Sequence, residues 1–329
     1  MRNLIISIFL IANTNVFADE AYSRVVKLMG SRMDITVLAA SKEQSDIYID
    51  LAVNEISRIE NLISSCDENS QTSSINKNAG IKPVKVDKEL YELINRSLRL
   101  SDLTRGAFDI SYASMDRIWK YDGSLTELPD PIEIEESISK VGYGGILLDA
   151  TKSTVFLKLK GMKIGFGAIG KGYAADKAKT LLKSKGVKGG IINASGDLYA
   201  WGKQADGSDW KVGITNPLNK DKIFSWLPVN DQAVVTSGNY EKYVMLNGVR
   251  YSHIIDPRTG YPSTGVLSTT VFAKSAELAD ALATSLFVMG VNVGLDFINQ
   301  IDGLECIIVD ENNKIHTSLN IVLNPIENE

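Results

Sequence analysis

Gly165–Asp176 reads GFGAIGKGYAAD, and Gly189–Ala194, a little further on, reads GGIINA. The first stretch takes a strand end into a glycine-rich turn and then into a helix expected over residues 172–185; the second is a strand. A dinucleotide-binding βαβ unit would carry its fingerprint at such a turn, but these spacings match neither that fingerprint nor a P-loop. The pattern around the two stretches is equally informative. Upstream, residues 23–39 read as a strand pair turning at Gly30–Ser31, and residues 43–64 as a helix carrying Ile47, Leu51, Ile56, Ile59 and Ile63. After the polar loop Ser64–Gly80, Asp87 is placed to cap a second helix with Leu90, Leu93, Ile94 and Leu98 on one side. Residues 120–140, with Pro129 and Pro131, read as a polar surface excursion, and ILLD and TVFLKL as paired strands. Downstream, WKVGITNP is another strand. Strands and helices therefore mix without regular βαβ alternation. That argues for an α+β fold, as one large domain or two intimate lobes of mixed sheets flanked by helices, and against a Rossmann sheet.

The first 18 residues carry Arg2, an apolar run from Leu4 to Ala12, and Val16 and Ala18 at the −3 and −1 places of a cleavage site. They read as a secretory signal, too short to span a membrane, with the mature chain expected over residues 19–329 outside the cytoplasm. The alternative is a buried first strand. With 35 basic against 40 acidic residues and no basic block, nucleic acid is excluded as an expected partner. Cys66 and Cys306 are the only cysteines, and His253 and His316 the only histidines. A zinc site is not expected from so few ligands, and both thiols are expected to be unpaired.

Four segments carry chemistry. The Gly165–Asp176 turn lets backbone approach a phosphate at a helix N-terminus, with Lys171 adding a point charge; a tight turn with a surface lysine is the plainer reading. Gly106–Trp119 reads GAFDISYASMDRIW, in which Asp109 either accepts from a ring imide or ribose or simply caps a core segment. Ser252–Gly260 reads SHIIDPRTG and sets His253 beside an Asp-Pro turn, where a rigid loop can aim a ring nitrogen or merely pack it. In Ala279–Gly290, ADALATSLFVMG, Asp280 and Thr284 stand at i and i+4, one turn apart on one helix face. Carboxylate and hydroxyl are hard donors suited to Mg2+ when a phosphate supplies further oxygens. The alternative is an Asp bonded to nearby backbone, but apolar neighbours imply burial, and a buried carboxylate needs a partner or a cation. Ser237–Gly238 and Gly196–Asp197 are expected to be turns.

With MGSRMD from Met29, SSCDENSQTSSIN ending at Asn76, GAFD, GFGAIGKGYAAD, NASGD from Asn193, TSGNY, SHIIDPRTG and ADALAT in this order, the chain resembles the ApbE family of FAD:protein FMN transferases from Met29 to about Gly290. The resemblance implies a T-fold-like architecture with the nucleotide site in its cleft. It also implies Mg2+-dependent cleavage of the FAD pyrophosphate, attachment of FMN through a phosphoester to a Ser or Thr of an exported or membrane-bound redox protein, and release of AMP. Residue by residue, it places Asp280, Thr284 and the Ala168 carbonyl on the metal. Met29, Cys66, Ala107, Phe108, Asp109, Lys171 and Ile255 fall at the flavin nucleotide, and His253 at the general base. Three positions depart from the family pattern: Gly165 where an Asp is frequent, Ser195 where a Gly is usual, and Cys66 where many members place an aromatic residue. The last leaves room for water, which makes an FAD pyrophosphatase giving FMN and AMP one alternative to transfer; a non-catalytic FAD-binding protein is another, and Asp280, Thr284 and His253 argue against it.

Overall fold

The computed structural model describes residues 19–216, 219–239 and 242–321. The expected signal segment lies outside the described residues. The architecture is α+β. Eight strands form one antiparallel sheet, and they cross it in chain order: Glu20–Leu28, Ser31–Ala39, Gly190–Ala194, Asp197–Trp201, Gln232–Gly238, Val266–Ala273, Glu305–Asp310 and Ile315–Thr317. The first hairpin closes through Met29 and Gly30, both at positive φ (50° and 71°), the geometry that matches the twist of its strands.

The segments between these strands supply the helices: α1 (Lys42–Ile63), α2 (Gln71–Lys77), α3 (Lys88–Leu103), α4 (Pro131–Ile138), α5 (Gly170–Ser184), α6 (Ala276–Met289) and α7 (Val291–Ile298). A small three-stranded sheet of Val84–Lys85, Thr154–Leu157 and Ile146–Asp149 sits within the long insertion after the first hairpin. Helix α5 packs between α1 and α6, and all three contact the large sheet. Strand alternation sorts side chains to the two faces. Ala233 and Val235 join the main core under the helices, whereas Val234 joins Leu38, Ala200, Trp210, Phe272 and Ile307 on the opposite face. That second cluster also takes in Val229, so the hairpin Trp210–Asn216 with Asn219–Val229 covers the sheet's other side.

Four local expectations are corrected. In α1 the buried stripe is Ile49, Ala52, Ile56, Ile59 and Ile63, while Ile47 is 61% exposed. A small Ala holds a core position that a search for large apolar residues overlooks. The 120–140 excursion contains α4, started by Asp130 capping Ile132 N–H and by Pro131 in the first turn, and its Ile134 is buried. Ser237 and Gly238 end the strand Gln232–Gly238 instead of forming a turn. Asp87 does start α3, but its carboxylate accepts from Gln71 Nε2 and makes no cap bond.

The contact between α5 and α6 positions the site. A Cβ on Gly172 would lie 2.1 Å from the Ala276 carbonyl oxygen and 2.9 Å from Asp280 Cβ, so only glycine allows this approach. Closing that gap brings Gly172 N–H to Asp280 Oδ2 at 3.0 Å.

Candidate active site

Helix α5 begins without a cap bond from its own N-cap residue, Ile169. Asp280 of α6 takes that place from the neighbouring helix by accepting Gly172 N–H. The plainer reading of Asp280, a carboxylate bonded to backbone, is thus true of one oxygen. It does not account for the charge. Asp280 is 4% exposed, and the nearby Asp197 is 3% exposed. Burial pushes the Asp280 carboxyl well above the ordinary carboxylate range, the like charge of Asp197 adds to this, and Lys171 opposes it. Burial also raises Asp197, again opposed by Lys171. The Lys171 ammonium donates to Asp197 Oδ2, and although burial disfavours its charge, Asp197 and then Asp280 hold it protonated above its ordinary range.

Two buried carboxylates thus share one cation, and the donor set fits a second. Thr284, one turn after Asp280 on α6, shares a hydrogen bond with Ser237 Oγ at 3.2 Å, and Ala168 lines the same cavity from the glycine-rich turn. Among the described residues no group of three or more His, Cys, Asp or Glu side chains forms a metal cluster. A cation here would therefore rest on one carboxylate, one hydroxyl, one carbonyl and oxygens of the substrate. That hard, incomplete set suits Mg2+ bound with a phosphate.

His253 approaches from a separate hairpin. Tyr243–Leu246 pairs with Val249–Ser252 around Asn247 and Gly248, both at positive φ (52° and 78°). The Asn-Gly pair is the sequence signal for this hairpin. Lys242 and His253 flank its last paired residues, Tyr243 and Ser252, at the open end, and the Lys242 carbonyl meets both His253 N–H (3.2 Å) and Nδ1 (3.0 Å). A carbonyl only accepts, so this contact puts the proton on Nδ1 and makes Nε2 the basic nitrogen of the neutral ring. The following loop is tied down by hydrogen bonds. Asp256 pairs with Arg258, its carbonyl accepts Gly260 N–H at 2.9 Å, and Trp119 Nε1 donates to Gly260 O at 2.8 Å. Tyr121 OH donates to Ser252 O at 2.7 Å, just before the histidine.

Ala107, Phe108, Asp109, Ala168, Lys171, His253, Ile255, Asp280 and Thr284 all line one cleft of about 650 Å3. Two candidates do not. Met29 packs against the core behind the start of α5, with its backbone N–H bonded to Glu60 Oε2 at 2.9 Å. Cys66 is exposed in an adjoining groove of about 1050 Å3, which shares Tyr112, Lys242 and His253 with the cleft. Asp109 behaves as the capping reading has it: Oδ1 accepts Ser111 N–H (2.7 Å) and Oδ2 accepts Tyr143 N–H (2.8 Å). Asp109 thus shapes the wall. Cys66 and Cys306 form no disulfide, and burial pushes the Cys306 thiol up to about 12.

Sequence reasoning missed Asp197, read as part of a turn, and Ser237. Gly196 and Ser195 do make the turn, at positive φ (101° and 57°), but Asp197 begins the next strand with its side chain buried in the cleft wall. The available signal was an acidic residue opening an otherwise largely apolar strand, DLYAW.

The chain matches the model of the ApbE family over residues 29–308 and belongs to that family. It is 30% identical over 320 residues to a Treponema pallidum protein named FAD:protein FMN transferase, covering 92% of this chain and 88% of that protein. A Klebsiella pneumoniae protein of the same name is 30% identical over 299 residues, covering 90% and 92% of the two chains. The crystal structure of the ApbE protein from Thermotoga maritima superposes with a TM-score of 0.82 at 34% identity, covering 91% of this chain and 97% of that one.

Proposed function

We propose that the protein is a Mg2+-dependent FAD:protein FMN transferase that joins FMN to a Ser or Thr hydroxyl of an exported or membrane-bound flavoprotein and releases AMP. The single observation carrying this reading is the meeting of Asp280, Thr284, Ala168, Lys171 and His253 in one cleft, from three separate segments of an ApbE-family chain.

Asp280, Thr284 and the Ala168 carbonyl would hold Mg2+, which supplies charge neutralisation at the pyrophosphate. The α5 N-terminus and Lys171 bind the pyrophosphate oxygens and orient the FMN phosphorus. His253 Nε2 takes the proton of the acceptor hydroxyl as its oxygen forms the new bond to that phosphorus. The bond from phosphorus to the bridging oxygen breaks, and AMP leaves with that oxygen. The stacked Trp119 and Tyr251 rings, 5.8 Å apart, and the Asp256–Gly260 turn hold the histidine hairpin still. The apolar signal segment supports export of the mature chain.

The test separates binding from chemistry. Asp280→Ala should abolish turnover and Mg2+ dependence, whereas His253→Ala should slow transfer about 10²- to 10⁴-fold with FAD affinity retained. Near-normal Mg2+-dependent transfer by Asp280→Asn would remove the metal assignment. A His253→Ala defect confined to FAD affinity would make the histidine a binding residue.

A further inference from the structure

Asp197 is a buried acidic group that the transfer chemistry above leaves without a role. It is held with care: it opens the strand Asp197–Trp201 directly after the strained Ser195–Gly196 turn, and Ser195 Oγ ties that turn to Arg32 O at 2.8 Å. Its carboxylate meets Lys171 in the first turn of α5, and Asp280 acts on the same lysine from α6. Three elements that share no local sequence thus build an Asp–Lys–Asp array into the cleft wall.

We infer that Asp197 is a positioning residue that sets the charge of the cleft, holding Lys171 against the wall and leaving the negative charge of Asp280 uncompensated, so that the site takes a divalent cation. This rests on the proposed Mg2+-dependent function. When a cation sits on Asp280 its carboxylate is ionised, and with the Lys171–Asp197 ion pair beside it the three groups contribute one net negative charge. Mg2+ turns that into one net positive charge, which suits an anionic pyrophosphate. Without Asp197, Lys171 alone neutralises Asp280 and the attraction for a cation falls. Without Lys171, two carboxylates face the cation and the attraction rises. Charges so far removed from water act strongly on one another.

Opposite signs for two neighbouring substitutions are not what a merely structural role produces, and they define the experiment. The mature protein without FAD is titrated with Mg2+ by calorimetry, and its melting temperature is followed across the same Mg2+ range. FAD affinity is measured in parallel. Asp197→Asn should weaken Mg2+ binding about tenfold, and Lys171→Met should tighten it by a similar factor. Asp197→Glu should restore most of the wild-type affinity. FAD affinity should fall in Asp197→Asn, yet fall little further when Asp197→Asn is added to Lys171→Met, because the aspartate acts on FAD through the lysine. Wild-type protein must first show Mg2+ binding that Asp280→Ala removes; its absence would overturn the metal site itself and this inference with it. If that binding is present, equal Mg2+ affinities in wild type and Asp197→Asn, or shifts of the same sign in Asp197→Asn and Lys171→Met, would overturn the role of Asp197 alone.

Discussion

Gly172→Ala probes the link between the fold and the chemistry at a single atom. The added methyl would lie 2.1 Å from the Ala276 oxygen, 2.5 Å from the Ala276 carbonyl carbon and 2.9 Å from Asp280 Cβ. The first two belong to helix backbone and cannot rotate away, so α5 and α6 must separate by about 1 Å to restore ordinary contact. Overpacking of this kind costs about 1–3 kcal/mol. The Gly172 N–H to Asp280 bond stretches or breaks, and a hydrogen bond to a charged group contributes about 1.5–3 kcal/mol. The better helix propensity of alanine returns about 1 kcal/mol. The net loss of about 1.5–5 kcal/mol should lower the melting temperature by roughly 3–15 °C. Because Asp280 moves with α6, the Mg2+ concentration giving half-maximal transfer should also rise. Gly167→Ala is the stability control, since a Cβ there meets nothing within 4 Å. Thermal denaturation measures the first effect, and a Mg2+ titration of transfer measures the second. A Gly172→Ala protein that melts within about 1 °C of wild type would refute the close approach of the helices and the argument built on it.

Glu89 joins three helices by accepting from Arg58 of α1 and from Tyr173 and Lys177 of α5. Chiefly through the Arg58 hydrogen bonds, its carboxyl is lowered to about 2. Its contribution to stability is therefore complete above pH 4.5, the ordinary Glu value, and is lost as pH falls from there towards 2. After allowance for solvent screening, Glu89→Gln should cost about 1 kcal/mol at pH 7 and almost nothing near pH 2; denaturant melts at both pH values check this, and an equal loss at both would contradict it. Ser195 carries a left-handed backbone at φ 57°, so Ser195→Gly removes strain of about 1 kcal/mol while losing the Ser195 Oγ bond to Arg32 O. The variant should melt at or slightly above the wild-type temperature. A fall of more than about 3 °C would show that the side-chain bond outweighs the backbone strain.

The parts of this protein legible in its sequence are those whose physics is local. The Ser31–Ala39 strand alternates and α1 repeats at helical spacing, so both were readable, as was the placing of Asp280 and Thr284 on one helix face. The Asp256–Gly260 turn announced itself through its Asp-Pro step. Long-range geometry was not readable. Nothing near Asp197 in the chain reveals that its partner is Lys171, because the two meet only when the strand after the Ser195–Gly196 turn packs beside the start of α5. Asp109 has a similar history: the backbone group that takes its second oxygen is Tyr143, 34 residues away. The role of Gly172 was hidden for the same reason, since its neighbour is the backbone of a helix about a hundred residues later. Ser237 was misread because a Thr-Ser-Gly run resembles a turn, while its strand is fixed by pairing with Val266–Ala273.

The central claim is tested most directly by incubating the mature protein with FAD, Mg2+ and a candidate acceptor protein bearing an accessible Ser or Thr. Intact-protein mass spectrometry then follows the acceptor while AMP is quantified in the same tube. The account predicts that the acceptor gains the mass of FMN less water, that one AMP is released for each acceptor modified, and that both vanish with chelator. AMP accompanied by an equal amount of free FMN, with a known acceptor left unmodified, would contradict transfer to protein and show that the cleft delivers FMN to water.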